Sequence, residues 1–244
     1  MQILNAEGVR KNFGGLAAVD NVDFDVNQGE IVGLIGPNGA GKTTFFNLIS
    51  GAIPLDSGTI VFNGVKISGR KPHQICRLGI GRTFQVAKNF PGMSVRENAV
   101  IGAMFGKKGQ TRKQAEHSVD QILEFVGLPD MRERHIPDLT LASQKRVEVA
   151  RALATKPTLL MLDETMAGLN PAEVEEGMEL IRKIRESGIT VIMIEHVMRA
   201  IMSICDRIIV LHHGAKIASG TPEEISTNKA VVEVYLGARQ KDGI

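Results

Sequence analysis

"EIVGLIGPNGAGKTTFFNLISG", residues 30–51, decides the fold. Its first part is a short unbroken apolar run, as a strand buried on both faces carries. Its last part has the spacing of a helix and closes on Gly51. Between them, "GPNGAGKT" (36–43) fits G-x-x-x-x-G-K-[ST] at every constrained position. That motif has a mechanism only between a strand and a helix, and here it has both, a strand over 30–35 and a helix over 42–50. Glycines let a loop curl so that its N–H groups face phosphate oxygens, and the helix start adds partial positive charge. Gly36, Pro37, Asn38, Gly39, Ala40, Gly41, Lys42, Thr43 and Thr44 are therefore expected to cradle a polyphosphate. Lys42 is suited to the β- and γ-phosphates, and Thr43 to a Mg²⁺ hydroxyl ligand.

Outward from this loop, further apolar runs recur at 59–64, 158–164, 190–196 and 207–214. Helical patterns separate them. "PAEVEEGMELIRKIRESG" opens on Pro171 and closes on Gly188, the usual punctuation of a helix. Strands alternating with helices imply an α/β fold with a largely parallel sheet. "ILNAEGVRKNF" (3–13) and "AAVDNVDFDVNQGE" (17–30) alternate more instead, as a small antiparallel β subdomain does. Residues 87–145 show no convincing buried strand and read as an inserted α-helical subdomain, leaving 1–86 and 146–244 as one nucleotide-binding core. The whole chain reads as a single domain.

Composition narrows the function classes. Apolar residues make up 43% of the 244 and supply an aliphatic core, since aromatics are only 4%. With 29 basic and 27 acidic residues, nothing in the charge calls for nucleic acid as a partner. Cys76 and Cys205 have neither metal-site nor disulfide-framework spacing. The N-terminus lacks a basic head followed by an apolar stretch, so no signal peptide is expected. No apolar run approaches the ~20 residues that span a bilayer. Work at a membrane would need another chain as anchor.

"LLMLDE" (159–164) brings two carboxylates to a strand end, at the edge where open α/β sheets bind ligands. Asp163 is suited to Mg²⁺, and Glu164 to polarising an attacking water. Alone, the pair could equally be surface carboxylates. His196 closes the following apolar run and can hydrogen-bond phosphate and water.

With these pieces in this order, nearly the whole chain resembles the ATP-binding subunits of ABC transporters. "GPNGAGKTT" resembles their Walker A loop and "LLMLDE" their Walker B strand. The resemblance implies ATP and Mg²⁺ as cofactors, with Thr43, Gln85 and Asp163 on the metal and Glu164, His196 and Gln85 at the reacting centre. Gln85 stands in "RTFQ" (82–85), the loop that couples to membrane subunits in the family. Phe13 takes the place of an aromatic that stacks on adenine; alternatively it is an ordinary strand-end hydrophobe. Ala167, Gly168, Leu169 and Asn170 occupy the place of the D-loop.

Leu139, Thr140, Leu141, Ala142 and Ser143 stand where the family carries a signature resembling L-S-G-G-Q, which closes over the nucleotide of the opposite subunit. Thr140 keeps a hydroxyl that can cap a helix. Ala142 is costly only if its backbone needs a positive φ. Thr165 replaces the Pro that usually follows the catalytic Glu. The segment is read as a working variant; a poorly hydrolysing regulatory subunit is the alternative. Lys145, Arg146 and Arg151 either help hold nucleotide or form a solvated face.

"GLAAVDNVDF", "GRTFQ", "MSVRENAVIGA", "AGLNP" and "VVEVYLG" are similar to the ATPases of branched-chain amino-acid importers. Related importers carry urea or short amides, and the ATPase of the lipopolysaccharide exporter has a similar tail. The resemblance implies a second ATP-binding subunit, identical or not, two membrane permeases, and a solute-binding protein reached only through them. It places the chain peripherally on the cytoplasmic face of the cell membrane. Lys88, Phe90, Met93 and Arg96 are the expected permease contacts, or else ordinary core and surface. A soluble ABC ATPase acting on ribosomes or DNA fits poorly with one cassette and near-neutral charge.

Overall fold

The structure is a computed structural model and describes residues 1–85, 89–106 and 110–241, with side chains as far as residue 235. In chain order the elements are β1 (Gln2–Phe13), β2 (Leu16–Asn27), β3 (Ile31–Ile35), α1 (Lys42–Ile49), β4 (Ser57–Phe62), β5 (Val65–Lys66) and α2 (Pro72–Leu78). Then come β6 (Ile80–Arg82), α3 (Val95–Phe105), α4 (Arg112–Phe125), α5 (Leu141–Ala154), β7 (Leu159–Asp163) and α6 (Pro171–Glu186). The chain continues with β8 (Thr190–Ile194), α7 (Met198–Ile204), β9 (Arg207–His212), β10 (Ala215–Gly220), α8 (Pro222–Thr227) and α9 (Lys229–Lys241). Two compact units divide it: residues 1–72 with 190–244, and residues 73–189.

The first unit holds two kinds of sheet. β3 pairs in parallel with both β8 and β9, and β10 closes on β9 as an antiparallel hairpin. All five residues of β3 and all five of β8 are buried, which explains their unbroken apolar spelling. The alternating N-terminal segments form the antiparallel order β2-β1-β4-β5. The run at 59–64 belongs to this sheet, and only every second of its last residues is buried.

In the second unit β6 and β7 pair in parallel, Ile80 opposite Leu159 and Arg82 opposite Met161. Three residues are too few for β6 to show a period in the sequence. Among the described residues of 87–145 the structure has helices, 3-10 turns and one isolated bridge, Ser94 to His135. The helical segment runs past 145, because α5 is one helix to Ala154 and packs on α3 and α4. Helix starts are spelled in full. Ser94 with Glu97, Thr111 with Gln114 and Asn170 with Glu173 each form a reciprocal capping box.

Candidate functional site

In the first unit, β3 delivers the chain into the 36–43 loop and α1 leaves it. Gly36 has φ 150°, and a Cβ there would lie 2.1 Å from the Leu211 carbonyl oxygen, so only glycine fits. Gly41 precedes α1 at φ 100°, and no side chain caps that helix. The N–H groups of its first turn therefore point at the loop with the positive end of the helix dipole. The Lys42 ammonium, 6% exposed, crosses the loop and donates to the carbonyls of Gly36 at 2.7 Å and Pro37 at 3.0 Å. The loop is braced from its own unit. The Gly214 N–H in the β9–β10 turn donates to the Ala40 carbonyl at 3.1 Å, and burial raises the pKa of the Tyr235 phenol, an effect the Gly36 backbone partly offsets. These features fit a bound polyphosphate, as expected of residues 36–44.

Phe13 ends β1 and is 51% exposed, facing Leu16 across a two-glycine turn. The Lys11 ammonium lies 5.6 Å from its ring centre. An exposed aromatic at a strand end fits a stacking platform. His196 is exposed in the bend two residues after β8.

In the second unit, β7 ends on Asp163, which is 1% exposed. Arg82 donates to its carboxylate at 3.1 Å, and the Asp163 N–H donates to the Thr83 hydroxyl at 3.0 Å. Burial pulls the Arg82 pKa down, and Asp163 partly offsets this. In "RTFQ" the glutamine is not alone at the site, since Arg82 and Thr83 both hold the neighbouring acid. Gln85 donates to the Glu164 carboxylate at 3.1 Å, so these two predicted residues do meet. Glu164 itself sits at φ 53°, a left-handed conformation that costs roughly 1–2 kcal/mol for a residue with a Cβ. Its carbonyl accepts from the Ala167 N–H at 3.3 Å and from the Lys145 ammonium at 2.6 Å. Within this unit, the carboxylate of Asp163 and the amide oxygen of Gln85 are hard donors of the kind that suit Mg²⁺.

The 139–143 segment has a simple geometry. Leu139 is buried, and Thr140 caps α5 by accepting the Ser143 N–H at 3.3 Å. Thr140 also donates to the Ser143 hydroxyl at 3.1 Å, so Ser143 turns inward. Leu141 and Ala142 form the first turn of α5, and Ala142 is not among the residues with positive φ. The alanine is thus unstrained. Asn170 spends its side-chain oxygen on the N–H groups of Ala172 and Glu173, fixing the end of the 167–170 turn. A Cβ on Gly168 would lie 3.1 Å from Leu141 Cδ2, so this turn touches the signature segment of its own chain.

The basic residues of α5 fit neither a free nucleotide clamp nor a solvated face. Lys145 binds the Glu164 carbonyl, Arg146 pairs with Glu176, and Arg151 pairs with Glu148 and lies over the Phe90 ring. Of the expected permease contacts, Lys88 lies outside the described residues. Phe90 and Met93 are exposed, and Arg96 pairs with Asp120 at 2.8 Å. Met93 and Arg96 line a groove of about 440 Å³ with Val100, Ile101, Met104 and His135. Among the described residues no helix is long and apolar enough to cross a membrane.

Comparison with known proteins places this geometry. The family model described as ABC transporter matches residues 19–167, and the one described as Branched-chain amino acid ATP-binding cassette transporter matches 215–240. The chain is 41% identical to the high-affinity branched-chain amino acid transport ATP-binding protein LivG of Escherichia coli, over 96% of this chain and 98% of LivG. It is 40% identical to BraF of Pseudomonas aeruginosa, with the same coverage. Among solved structures, an ATP-binding cassette of an ABC transporter in its ADP conformation superposes with a TM-score of 0.88 at 31% identity, covering 97% of this chain and 99% of that one. The chain belongs to the ABC transporter family, as one of its ATP-hydrolysing cassette subunits.

Proposed function

We propose that the chain powers uptake of branched-chain amino acids or chemically close small solutes, as a peripheral subunit on the cytoplasmic face of the membrane. The observation that carries this reading is the full-length match to LivG and BraF. ATP lies with its phosphates on residues 36–44 and its base on Phe13. Thr43, Gln85 and Asp163 would hold Mg²⁺, which when bound would neutralise phosphate charge. Glu164 takes a proton from the attacking water as the water oxygen bonds to the γ-phosphorus and the bond from that phosphorus to the bridging oxygen breaks, releasing ADP and phosphate, while His196 donates a hydrogen bond to the γ-phosphate. The 139–143 segment of a second cassette subunit, identical or not, closes over this nucleotide with the backbone N–H groups at its helix start. The groove beside Met93, Ile101 and Met104 receives an intracellular segment of a permease. The solute-binding protein acts through the permeases and never touches this chain. Single-domain organisation, with a helical insertion in a nucleotide-binding core, serves the relative movement that couples closure to transport.

The test uses the Glu164→Gln protein. It should bind ATP with hydrolysis nearly abolished, and should shift from monomer to dimer when ATP and Mg²⁺ are added. Normal turnover would exclude Glu164 as the base. For the cargo, cells carrying the chain with its own permeases should take up leucine in a manner that Lys42→Ala abolishes. Uptake insensitive to that change would remove the transport assignment.

A further inference from the structure

Within the second unit, one contact joins the signature helix to the catalytic carboxylate. Lys145 lies on α5 three residues after Ala142, so both lie on one face of the helix, about one turn apart. Its ammonium donates to the backbone carbonyl of Glu164 at 2.6 Å, the short distance of a charge-assisted bond. The residue it grips holds a left-handed backbone, φ 53°, which persists only where surroundings impose it. The next residue is Thr165, so no pyrrolidine ring restricts the backbone there. The other end of Glu164 is held separately, by Gln85 on its carboxylate at 3.1 Å. A second touch runs alongside, where Leu141 packs against Gly168 in the turn that follows Glu164.

We infer that Lys145 is a positioning residue that ties the signature helix to Glu164 of the same chain, so that engagement of that helix by the opposite subunit's nucleotide sets the carboxylate that serves this subunit's own nucleotide. The inference rests on the reading of Glu164 as the base. The helix is rigid, and the bond sits about one turn from the residues that meet the opposite nucleotide. A shift of α5 therefore carries the Glu164 backbone with it. Each of the two sites then reports its occupancy to the other through the Lys145 ammonium, with the Leu141–Gly168 contact beside it. ATP turnover should be cooperative for this reason.

The test is ATP turnover in the assembled transporter carrying Lys145→Met or Lys145→Arg, with ATP affinity measured on the same substitutions in a Glu164→Gln background. Lys145→Met should lower kcat by roughly a hundredfold, the scale of a misplaced catalytic group, with KM for ATP little changed. Its Hill coefficient should fall to 1. Lys145→Arg should restore most of the rate, and ATP affinity in the Glu164→Gln background should not depend on residue 145. Lys145→Gln keeps a donor without the reach and carries the same test should the methionine variant fail to fold. An unchanged kcat, a raised KM with kcat retained, or loss of ATP affinity in the double variant overturns the proposal. Normal turnover by Glu164→Gln alone would instead remove the base assignment, a separate result.

Discussion

Ala142→Gly restores the glycine usual in the family's signature, and the structure makes it a loss. Ala142 lies in the first turn of α5 without a positive φ, so glycine gains nothing from its wider conformational range. It gives up helix propensity, about 1 kcal/mol relative to alanine. The methyl group also lines an apolar cavity of about 30 Å³ with Val149, Leu162, Met166 and Ile181, and removing it uncovers about 0.8 kcal/mol of packing. Together the cost is about 2 kcal/mol, or roughly 4–8 °C in Tm for a chain of this size. The hydrolysis rate should stay within about twofold, since the N–H groups at the start of α5 keep their direction. Thermal unfolding and ATP turnover of the two proteins side by side decide the matter. A raised Tm would show that the alanine is strained. A tenfold gain in kcat would show that closure needs a backbone shape or a close approach that alanine denies, and the helical reading of residue 142 would then fail.

Gly36→Ala should abolish ATP binding, because its Cβ would lie 2.1 Å from the Leu211 carbonyl and the loop must move to admit it; calorimetric titration with ATP checks this. Arg82→Met removes the counter-charge of a carboxylate that is 1% exposed, and should cost about 3–5 kcal/mol, read as a lower urea midpoint. His212 should give the chain a pH-dependent stability. Desolvation first, and the His213 ring 3.9 Å away second, lower its pKa in the folded chain. The unfolded chain then takes up the proton first as pH falls below about 6.5, so stability is complete above that value and declines beneath it. Urea midpoints between pH 7.5 and 5 should show this slope, and His213→Ala should make it shallower.

Much of the fold was legible because its signals are local. β3, β7 and β8 are each five buried residues in a row, and such runs have one common use. The 36–43 loop is spelled by glycines at positive φ, and at Gly36 and Gly41 a Cβ would also lie 2.1 and 2.3 Å from backbone oxygens. What stayed hidden depends on partners far along the chain. Arg82 meets Asp163 across 81 positions, and Lys145 meets the Glu164 backbone across 19, with no period to announce either. A lysine on a helix looks the same whether its end is in water or on a carbonyl. The backbone of residue 142 was equally unreadable by itself, although Thr140 gave the clue. Its hydroxyl caps α5, and a cap at 140 obliges 141 and 142 to be helical.

The same distinction explains why this site is spelled strictly in some places and loosely in others. In the proposed mechanism Lys42, Asp163 and Glu164 contribute charge from the side chain, so their identity is the chemistry. The 139–143 segment is proposed to contribute N–H groups, which every residue except proline carries. What it must preserve is a capped helix start, and Thr140 with Ser143 preserves one in the absence of the usual serine and glutamine. Thr165 is a similar case. The proline it replaces would restrict a backbone that is held here by the Lys145 ammonium and the Ala167 N–H. A departure in spelling therefore predicts lost function only where a side chain does the work. On that ground this cassette should hydrolyse ATP at a rate set by Glu164 and the groups that hold it, Gln85 and Lys145 among them, whatever the letters of its signature.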